Sequence, residues 1–206
     1  MANKRNNRSA QRTQRRIKEA FVSLAGRLPI AEVSVSDVAQ LADVSRGTFY
    51  LYYHDLLDLR DVIADDFVDE FDAEVGRHSI EGHPTSGGFE MLAAGLSFMR
   101  EHHETLSVLL GPNGDLAFQR RLENVIRRYC LAGLEDNFPQ MDDQTFSRLY
   151  AFEIAGAVGS IRDWLAHDCA QAPDEMADFI GTILMAGAAA LAGDEGAASL
   201  TPVSSR

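Results

Sequence analysis

Apolar residues recur every three or four positions through most of this chain, and no stretch alternates apolar and polar residues as a half-buried β-strand would. Ile17 and Phe21 carry the pattern in the first helix, which is expected at residues 13–28 and should end before Pro29. The fold class is therefore predicted to be all-α. Further helices are expected at residues 55–75, 89–103, 104–110, 115–137, 141–167 and 173–192.

Two short helices joined by a tight turn are predicted between residues 33 and 53. Ser34 can cap the first helix together with Asp37, because a Ser hydroxyl and an acid three residues later satisfy each other's free N–H groups. Ser45 is the expected cap of the second helix. Phe49 and Tyr53 lie four residues apart on that helix, so both should face inward. This arrangement is a helix-turn-helix.

The other side chains of the second short helix should point away from its core. They combine an arginine with a glycine and with several apolar or aromatic groups, a surface that needs a partner. A recognition helix places such groups in the DNA major groove, where Arg46 is the first choice for reading a guanine. The residues of this motif predicted to contact DNA are Ser34, Ser45, Arg46, Gly47, Thr48, Tyr50, Leu51 and Tyr52.

Charge is unevenly distributed along the chain. The net charge of −12 argues, taken alone, against a nucleic-acid partner. However, residues 1–53 hold nine Lys/Arg against four Asp/Glu, whereas residues 54–206 hold ten against 27. Screening confines phosphate attraction to about 8 Å at physiological salt, so the local sign decides. Arg12, Arg15 and Arg16 are therefore predicted to contact the DNA backbone.

Composition narrows the class of protein. A chain of 206 residues that is 46% hydrophobic can form a sizeable core, so disorder is not its main state. The polar start does not suit a secretory signal, and the longest apolar stretch, residues 183–193, is about half a membrane span. Cys130 and Cys169 are isolated and are expected to be free thiols. We expect a cytoplasmic protein that does not contact the membrane.

The run VSVSDVAQLADVSRGTFYLYYHDLLDL, with the helix before it, resembles the DNA-binding domain of TetR/AcrR-type transcriptional regulators. LLGPNGDLAFQRRL at 109–122 and AGAVGSIRDWL at 155–165 are similar to the C-terminal domain of the dihydroxyacetone-kinase type of regulator. The resemblance implies an N-terminal three-helix helix-turn-helix domain and a C-terminal helical bundle for ligand binding and dimerisation. It also implies a small-molecule effector and a homodimer on a palindromic, double-stranded DNA operator, and we expect a repressor.

Two positions depart from the family pattern. Asp43 stands where the family usually has Gly, at a turn position that often needs a positive φ; Asp is one of the few residues that tolerate it. Leu56 stands where a lysine usually touches a phosphate. Its presence implies weaker anchoring, or a larger share for the arginines of the first helix.

Six segments follow from these patterns. The predicted organisation is a flexible basic arm at 1–10, the DNA-binding domain at 11–54, a connecting helix at 55–75, a loop at 76–88, the ligand-binding and dimerisation domain at 89–192 and a disordered tail at 193–206.

Apolar and aromatic residues of the C-terminal half are candidates for the effector pocket, although stripes of this kind are more often core. The predicted pocket residues are Phe67, Phe71, Phe98, Leu122, Ile126, Tyr129, Tyr150 and Trp164. Small residues at intervals of three or four allow close helix packing, which favours a dimer interface built from two helices of each subunit. The predicted interface residues are Gly156, Gly159, Ser160, Phe179, Ile180, Ile183 and Leu184.

Other classes of function have less support. No phosphate-binding loop, metalloprotease helix or nucleophile elbow is found, so no enzymatic activity and no cofactor are expected. His102 and His103 invite a metal hypothesis, but neighbouring helical residues point about 100° apart and cannot close around one ion, so no metal is expected. A helical sensor or co-activator that works through a partner protein, with weak DNA binding of its own, remains the alternative because of Leu56.

Overall fold

The computed structural model describes residues 2–78, 84–111, 116–138 and 140–192, with side chains for all of these except 2–7, 84–87 and 130–137. The all-α prediction is confirmed, because the described residues form helices and no strand. The helices are α1 (Ala2–Ala25), a 3₁₀ turn (Ile30–Glu32), α2 (Val35–Leu41), α3 (Arg46–Tyr50), α4 (Leu56–His78), α5 (Pro84–Glu101), α6 (His103–Leu110), α7 (Leu116–Asn137), α8 (Asp143–Ala166) and α9 (Pro173–Leu191).

The first helix differs from the prediction at both ends. It begins at Ala2, so the stretch expected to be a flexible arm at residues 1–10 is helical from Ala2 onward. This polar stretch contains Ala, Lys, Arg and Gln, which are strong helix formers, but no apolar periodicity that would have marked it. The helix ends at Ala25, before Gly26, and Leu28, the last residue of the predicted helix, is exposed. A glycine at this point weakens the helix by its backbone freedom.

The predicted loop at 76–88 is also largely helical. Helix α4 continues to His78 and α5 begins at Pro84, and only residues 79–83 between them lie outside the described residues. Proline is well suited to a first helical position, because its missing N–H would have no partner there. Most of the segment between the helices predicted at 104–110 and 115–137 lies outside the described residues, as does the whole predicted disordered tail at 193–206.

The first of two compact units comprises Met1–Glu70 and His102–Arg121. Helix α1 packs on α2, and α2 packs on α3, around a core that includes Ile17, Phe21 and Val38. Helix α6 also packs on α1, so it joins the helix-turn-helix unit and not the ligand-binding domain to which it was assigned. Its apolar stripe indicated a buried face, but a stripe does not say which helix covers it.

The second unit comprises Phe71–Glu101 and Leu122–Arg206. Helix α9 packs along α5 and against α8. Trp164 is 1% exposed in this core, and its indole Nε1 donates a hydrogen bond to the Gln171 carbonyl at 3.0 Å. The boundaries between the units fall within α4 and α7, so each of these helices contributes residues to both.

Candidate nucleic-acid interface and ligand cavity

Helix α2 begins with the predicted capping box. The Ser34 hydroxyl accepts a hydrogen bond from the Asp37 N–H at 3.2 Å, and the Asp37 carboxylate accepts one from the Ser34 N–H at 3.1 Å. These bonds from the Ser34 hydroxyl and N–H lower the pKa of Asp37. The start of α2 is thereby defined by local chemistry that the sequence already contained.

The turn between the two short helices contains Asp43 at a φ of 49°, the positive value expected where the family usually has Gly. Arg16 of α1 reaches this turn, and its Nη2 lies 2.8 Å from Asp43 Oδ2 and 3.2 Å from the Asp43 carbonyl oxygen. The predicted phosphate contact Arg16 is therefore engaged with the turn in the free protein. Exposed ion pairs of this kind contribute only about 0–1 kcal/mol, so DNA can compete for the guanidinium.

Helix α3 has the predicted inward face and the predicted outward face. Ser45 caps it, because its hydroxyl accepts the Thr48 N–H at 3.0 Å, and the two hydroxyls lie 2.9 Å apart. Phe49 is 0% exposed and Tyr53 is 3% exposed, as expected for the inward face. On the outward side, Arg46, Tyr50 and Leu51 extend their side chains into solvent, and the backbone of Gly47 is exposed.

Two of the predicted DNA contacts, Leu51 and Tyr52, do not lie on α3 as expected. Helix α3 ends at Tyr50, so Leu51 and Tyr52 lie in the turn that follows it. Leu51 is 78% exposed, whereas Tyr52 is half-buried, with its ring centroid 6.4 Å from that of Tyr53. The periodicity of the sequence continued past Tyr50 and concealed this early helix end.

Basic side chains of α1 complete the candidate interface. Arg12 and Arg15 are exposed, and Arg15 lies 3.4 Å from Glu19 one helical turn along. At the start of α4, Leu56 is half-buried where the family usually has lysine. The helix start itself is well capped, because Asp55 Oδ1 accepts the N–H groups of Leu57 and Asp58 at 2.8 and 2.9 Å.

The core beneath the interface contains one unsatisfied polar atom. The Tyr53 hydroxyl is buried and has no hydrogen-bond partner among the described groups. Burial, followed by the nearby charges of Asp66 and Asp58, raises the pKa of Tyr53 to about 12. The phenol therefore stays neutral and serves as part of the packed support of α3.

The second unit contains a cavity of about 560 Å³ whose walls are mainly apolar. Four of the predicted pocket residues line it: Phe71, Ile126, Tyr129 and Tyr150. Sequence reasoning missed the contributions of Glu153 and Ile154 from α8, and of Asp178 and Thr182 from α9. The signal that could have found Glu153 is an acidic residue that follows Tyr150 by three positions on a largely apolar helix face.

The other four predicted pocket residues are packed away from the cavity. Phe67 meets Phe118 edge to face at 5.7 Å, and Phe98 lies behind the cavity wall with its ring 5.9 Å from Phe71. Leu122 and Trp164 are likewise buried in the protein and do not line the cavity. The prediction was wrong for these four because periodicity identifies an inward face without distinguishing filled from empty space.

Polar groups at one wall of the cavity are already paired. The Tyr129 hydroxyl donates a hydrogen bond to Asp72 Oδ1 at 2.8 Å, and Arg128 Nη1 lies 2.8 Å from Asp72 Oδ2. Burial, and then the bond to Asp72, raise the pKa of Tyr129. The Arg127 guanidinium carbon lies 5.0 Å from the centroid of the Tyr150 ring.

The predicted dimer residues divide between two faces. Gly156 and Gly159 of α8 and Phe179 and Ile183 of α9 are exposed, and Ser160 is half-buried. Ile180 and Leu184, also predicted as interface residues, line the cavity of their own chain. Phe152 of α8, which was not among the predicted interface residues, is 75% exposed.

The described residues contain no cluster of three His, Cys, Asp or Glu side chains that could hold a metal ion. No helix among them is both long and apolar enough to cross a bilayer. Cys169 is a buried free thiol, and the side chain of Cys130 is not among those that the structure describes.

Both the C-terminal half and most of the chain as a whole are similar to transcriptional regulators. Residues 89–186 match the model of a transcriptional regulator C-terminal region of the TetR group. The uncharacterised HTH-type transcriptional regulator YxbF of Bacillus subtilis is 25% identical over 180 residues, which is 80% of this chain. The chain spans only 42% of the length of that relative.

Solved structures share the fold at low identity. A TetR-family regulator from Syntrophomonas wolfei superposes with a TM-score of 0.70 at 17% identity, covering 94% of this chain and 99% of its own. The dihydroxyacetone kinase operon activator DhaS gives 0.62 at 19% identity, with coverages of 87% and 97%. Thermus thermophilus FadR, solved with lauroyl-CoA, gives 0.56 at 21% identity, with coverages of 84% and 94%.

These findings confirm the resemblance inferred from the sequence: residues 89–186 match the C-terminal region of a transcriptional regulator family, and TetR-family regulators share the all-α fold of the chain. The matched family and the relatives are regulators and not enzymes, in agreement with the expectation of no catalytic activity.

Proposed function

We propose that this chain is a ligand-responsive, sequence-specific DNA-binding repressor that acts as a homodimer on a palindromic operator in the cytoplasm. The observation that carries the proposal is the division of α3 into two faces. Phe49 and Tyr53 anchor it in the core while Arg46, Gly47, Tyr50 and Leu51 extend into solvent. A short, firmly supported helix with an arginine at its first turn fits the major groove, where guanine offers two acceptors to one guanidinium.

Arginines of α1 supply the sequence-independent part of binding. Arg12 and Arg15 are exposed, and Arg16 exchanges its contact with Asp43 for a phosphate. Each phosphate neutralised releases counterions, so affinity should fall steeply as salt rises. The acidic remainder of the chain limits indiscriminate binding to nucleic acid.

Dimerisation is proposed through α8 and α9. The exposed side chains of Phe152, Phe179 and Ile183 are large and apolar, and Gly156 and Gly159 on α8 permit close approach of a second helix. A two-fold interface of this kind presents two copies of α3, which suits an operator of matching symmetry.

Control by a ligand is proposed through α4. This helix contributes Phe71 and Val75 to the cavity wall and Leu59 to the core of the first unit. A ligand that prefers one tilt of α4 changes the separation of the two reading helices. A preference of about 1–3 kcal/mol suffices to lower DNA affinity roughly 5- to 150-fold.

Footprinting on the region upstream of the gene, combined with sedimentation of the purified full chain, tests the proposal. We expect a dimer that protects two half-sites about one helical turn, roughly 10 bp, apart or slightly more. A strictly monomeric protein at micromolar concentration, or protection of a short asymmetric site, contradicts it.

The second candidate is a helical sensor that acts through a partner protein. Leu56 favours it, because this half-buried apolar side chain cannot make the phosphate contact of the usual lysine. A chain that dimerises but enriches no sequence from a random duplex library supports this candidate over the repressor.

A further inference from the structure

The cavity of the second unit has a one-sided charge. Two carboxylates, Glu153 from α8 and Asp178 from α9, belong to its lining, and among the residues whose side chains the structure describes no Lys, Arg or His does. Asp178 and its neighbour Thr182 are exposed, so they stand at the rim, whereas Glu153 is half-buried among apolar side chains. A ligand therefore passes one carboxylate at the rim and meets a second one deeper among the apolar walls.

The Glu153 carboxylate has no partner among the described residues. No described group donates a hydrogen bond to it or forms an ion pair with it, and burial alone raises its pKa. It lies directly against α9 at Gly187, where an added Cβ would stand 2.6 Å from Glu153 Oε1. The chain thus makes room for an acid in an apolar wall without compensating its charge, and a partly desolvated carboxylate strongly favours a cation.

Two arginines of α7 have other partners. Arg128 Nη1 lies 2.8 Å from Asp72 Oδ2, and the Arg127 guanidinium carbon lies 5.0 Å from the centroid of the Tyr150 ring. Neither belongs to the cavity lining. An anionic head group would meet Glu153 without a neutralising cation, whereas an ammonium group would gain both the carboxylate and the face of a neighbouring aromatic ring.

Resting on the ligand-responsive function proposed above, we propose that the effector of this chain is a cationic amphiphile: an apolar or aromatic body that carries a protonated amine, with the amine paired to Glu153. The body lies against Phe71, Met99 and Ile180, and the amine points towards Glu153 on the same helix face as Tyr150. Asp178 at the rim attracts the cation on its way in.

Calorimetry of the full chain with three decyl compounds tests this inference, because decylamine, decanoate and decanol share a chain and differ in charge. We expect decylamine to bind about tenfold or more tightly than decanoate, the difference that one charge-assisted hydrogen bond supports. Glu153→Gln, which keeps the shape, should lower decylamine affinity about tenfold and leave decanol unchanged. Asp163→Asn, an equal charge change at an exposed position of α8 outside the cavity, is the matched control.

Tighter binding of decanoate, the absence of binding by all three compounds, or an unchanged preference in Glu153→Gln overturns the assignment of a cationic ligand. Operator binding measured alongside separates this from the function proposed above. If decanoate but not decylamine releases DNA, the regulator stands and the ligand class falls. If decylamine binds through Glu153 and the chain binds no operator, the ligand class stands and the DNA-binding function falls.

Discussion

In the first unit Phe49 and Tyr53 are 0% and 3% exposed, whereas in the second unit Phe71, Tyr129 and Tyr150 stand around a cavity of about 560 Å³. Aromatic residues fill the space between helices in one unit and enclose empty space in the other. A helix that reads DNA needs fixed support, because a shift of its side chains removes their hydrogen bonds to bases. A sensor needs empty apolar volume, which it obtains by giving up packing energy.

The largest expected effect tests this contrast between filled and open packing. Phe49→Ala removes a fully buried ring and should lower the free energy of unfolding by about 3–5 kcal/mol. Phe89→Ala removes an exposed cavity-wall ring and should cost less than about 1 kcal/mol. Urea denaturation of both variants measures the difference. Equal losses of stability would mean that the cavity wall is as tightly packed as the core of the first unit.

The next prediction assigns sequence reading to the first unit. Arg46→Ala should weaken binding to the preferred operator by about 1–3 kcal/mol and relax base preference at one position. Arg15→Ala should weaken all sequences alike and reduce the salt dependence by about one unit of slope. Fluorescence anisotropy with matched and scrambled duplexes distinguishes the two. If both variants lost affinity equally for all sequences, Arg46 would not be a base contact.

Filling the cavity should change the second unit alone. Ala157 lines the cavity, and Ala157→Phe places a ring in its open space. We expect decylamine affinity to fall about tenfold, equivalent to about 1.4 kcal/mol, while the free protein binds operator normally. Ala151→Phe on an exposed part of the same helix, away from the cavity, is the control. Loss of operator binding in Ala157→Phe but not in Ala151→Phe would show that the cavity is part of the support of α3.

Helix caps offer a matched pair, one in each unit. Ser34→Ala removes the cap of α2, and Asp142→Ala removes the cap of α8, where Asp142 Oδ1 accepts the N–H groups of Gln144 and Thr145 at 3.0 Å each. Each variant should lose about 1 kcal/mol of stability. Calorimetric unfolding of the two variants reveals whether the units melt together. Shifts of separate transitions would sharpen the division, and equal shifts of one transition would argue for a single cooperative fold.

The smallest expected effect concerns the departure at Leu56. Leu56→Lys supplies the usual phosphate contact and should tighten DNA binding by less than about 1 kcal/mol, with about one more unit of salt slope. Base preference and the decylamine affinity of the second unit should not change. A salt titration of operator affinity provides the measurement, and the absence of any gain would show that another group already holds that phosphate.

Local sequence patterns predicted the helix-turn-helix of the first unit well. The Ser34–Asp37 capping box, the Ser45 cap, the inward Phe49 and Tyr53 and the positive φ at Asp43 all follow from residues within a few positions of one another. Such features depend on hydrogen bonds and sterics inside one turn of chain, so the sequence alone specifies them.

The errors share a physical cause. Phe67, Phe98, Leu122 and Trp164 were expected to line the pocket but do not belong to the cavity lining. Each is an apolar residue on an inward helix face, and periodicity does not show which neighbour covers that face. Helix ends in polar runs, such as the start of α1 at Ala2, lack the apolar rhythm on which the prediction relied.

The sequence by itself determined the helical class, the helix-turn-helix with its caps, and the opposite charges of the two ends of the chain. Only the tertiary structure decided that α6 joins the first unit, that Arg16 pairs with Asp43, and that Glu153 lies in a cavity wall without a partner among the described residues. The reason is the range of the interactions. Caps and turns form between near neighbours, whereas a cavity exists only where several distant helices fail to fill the space between them.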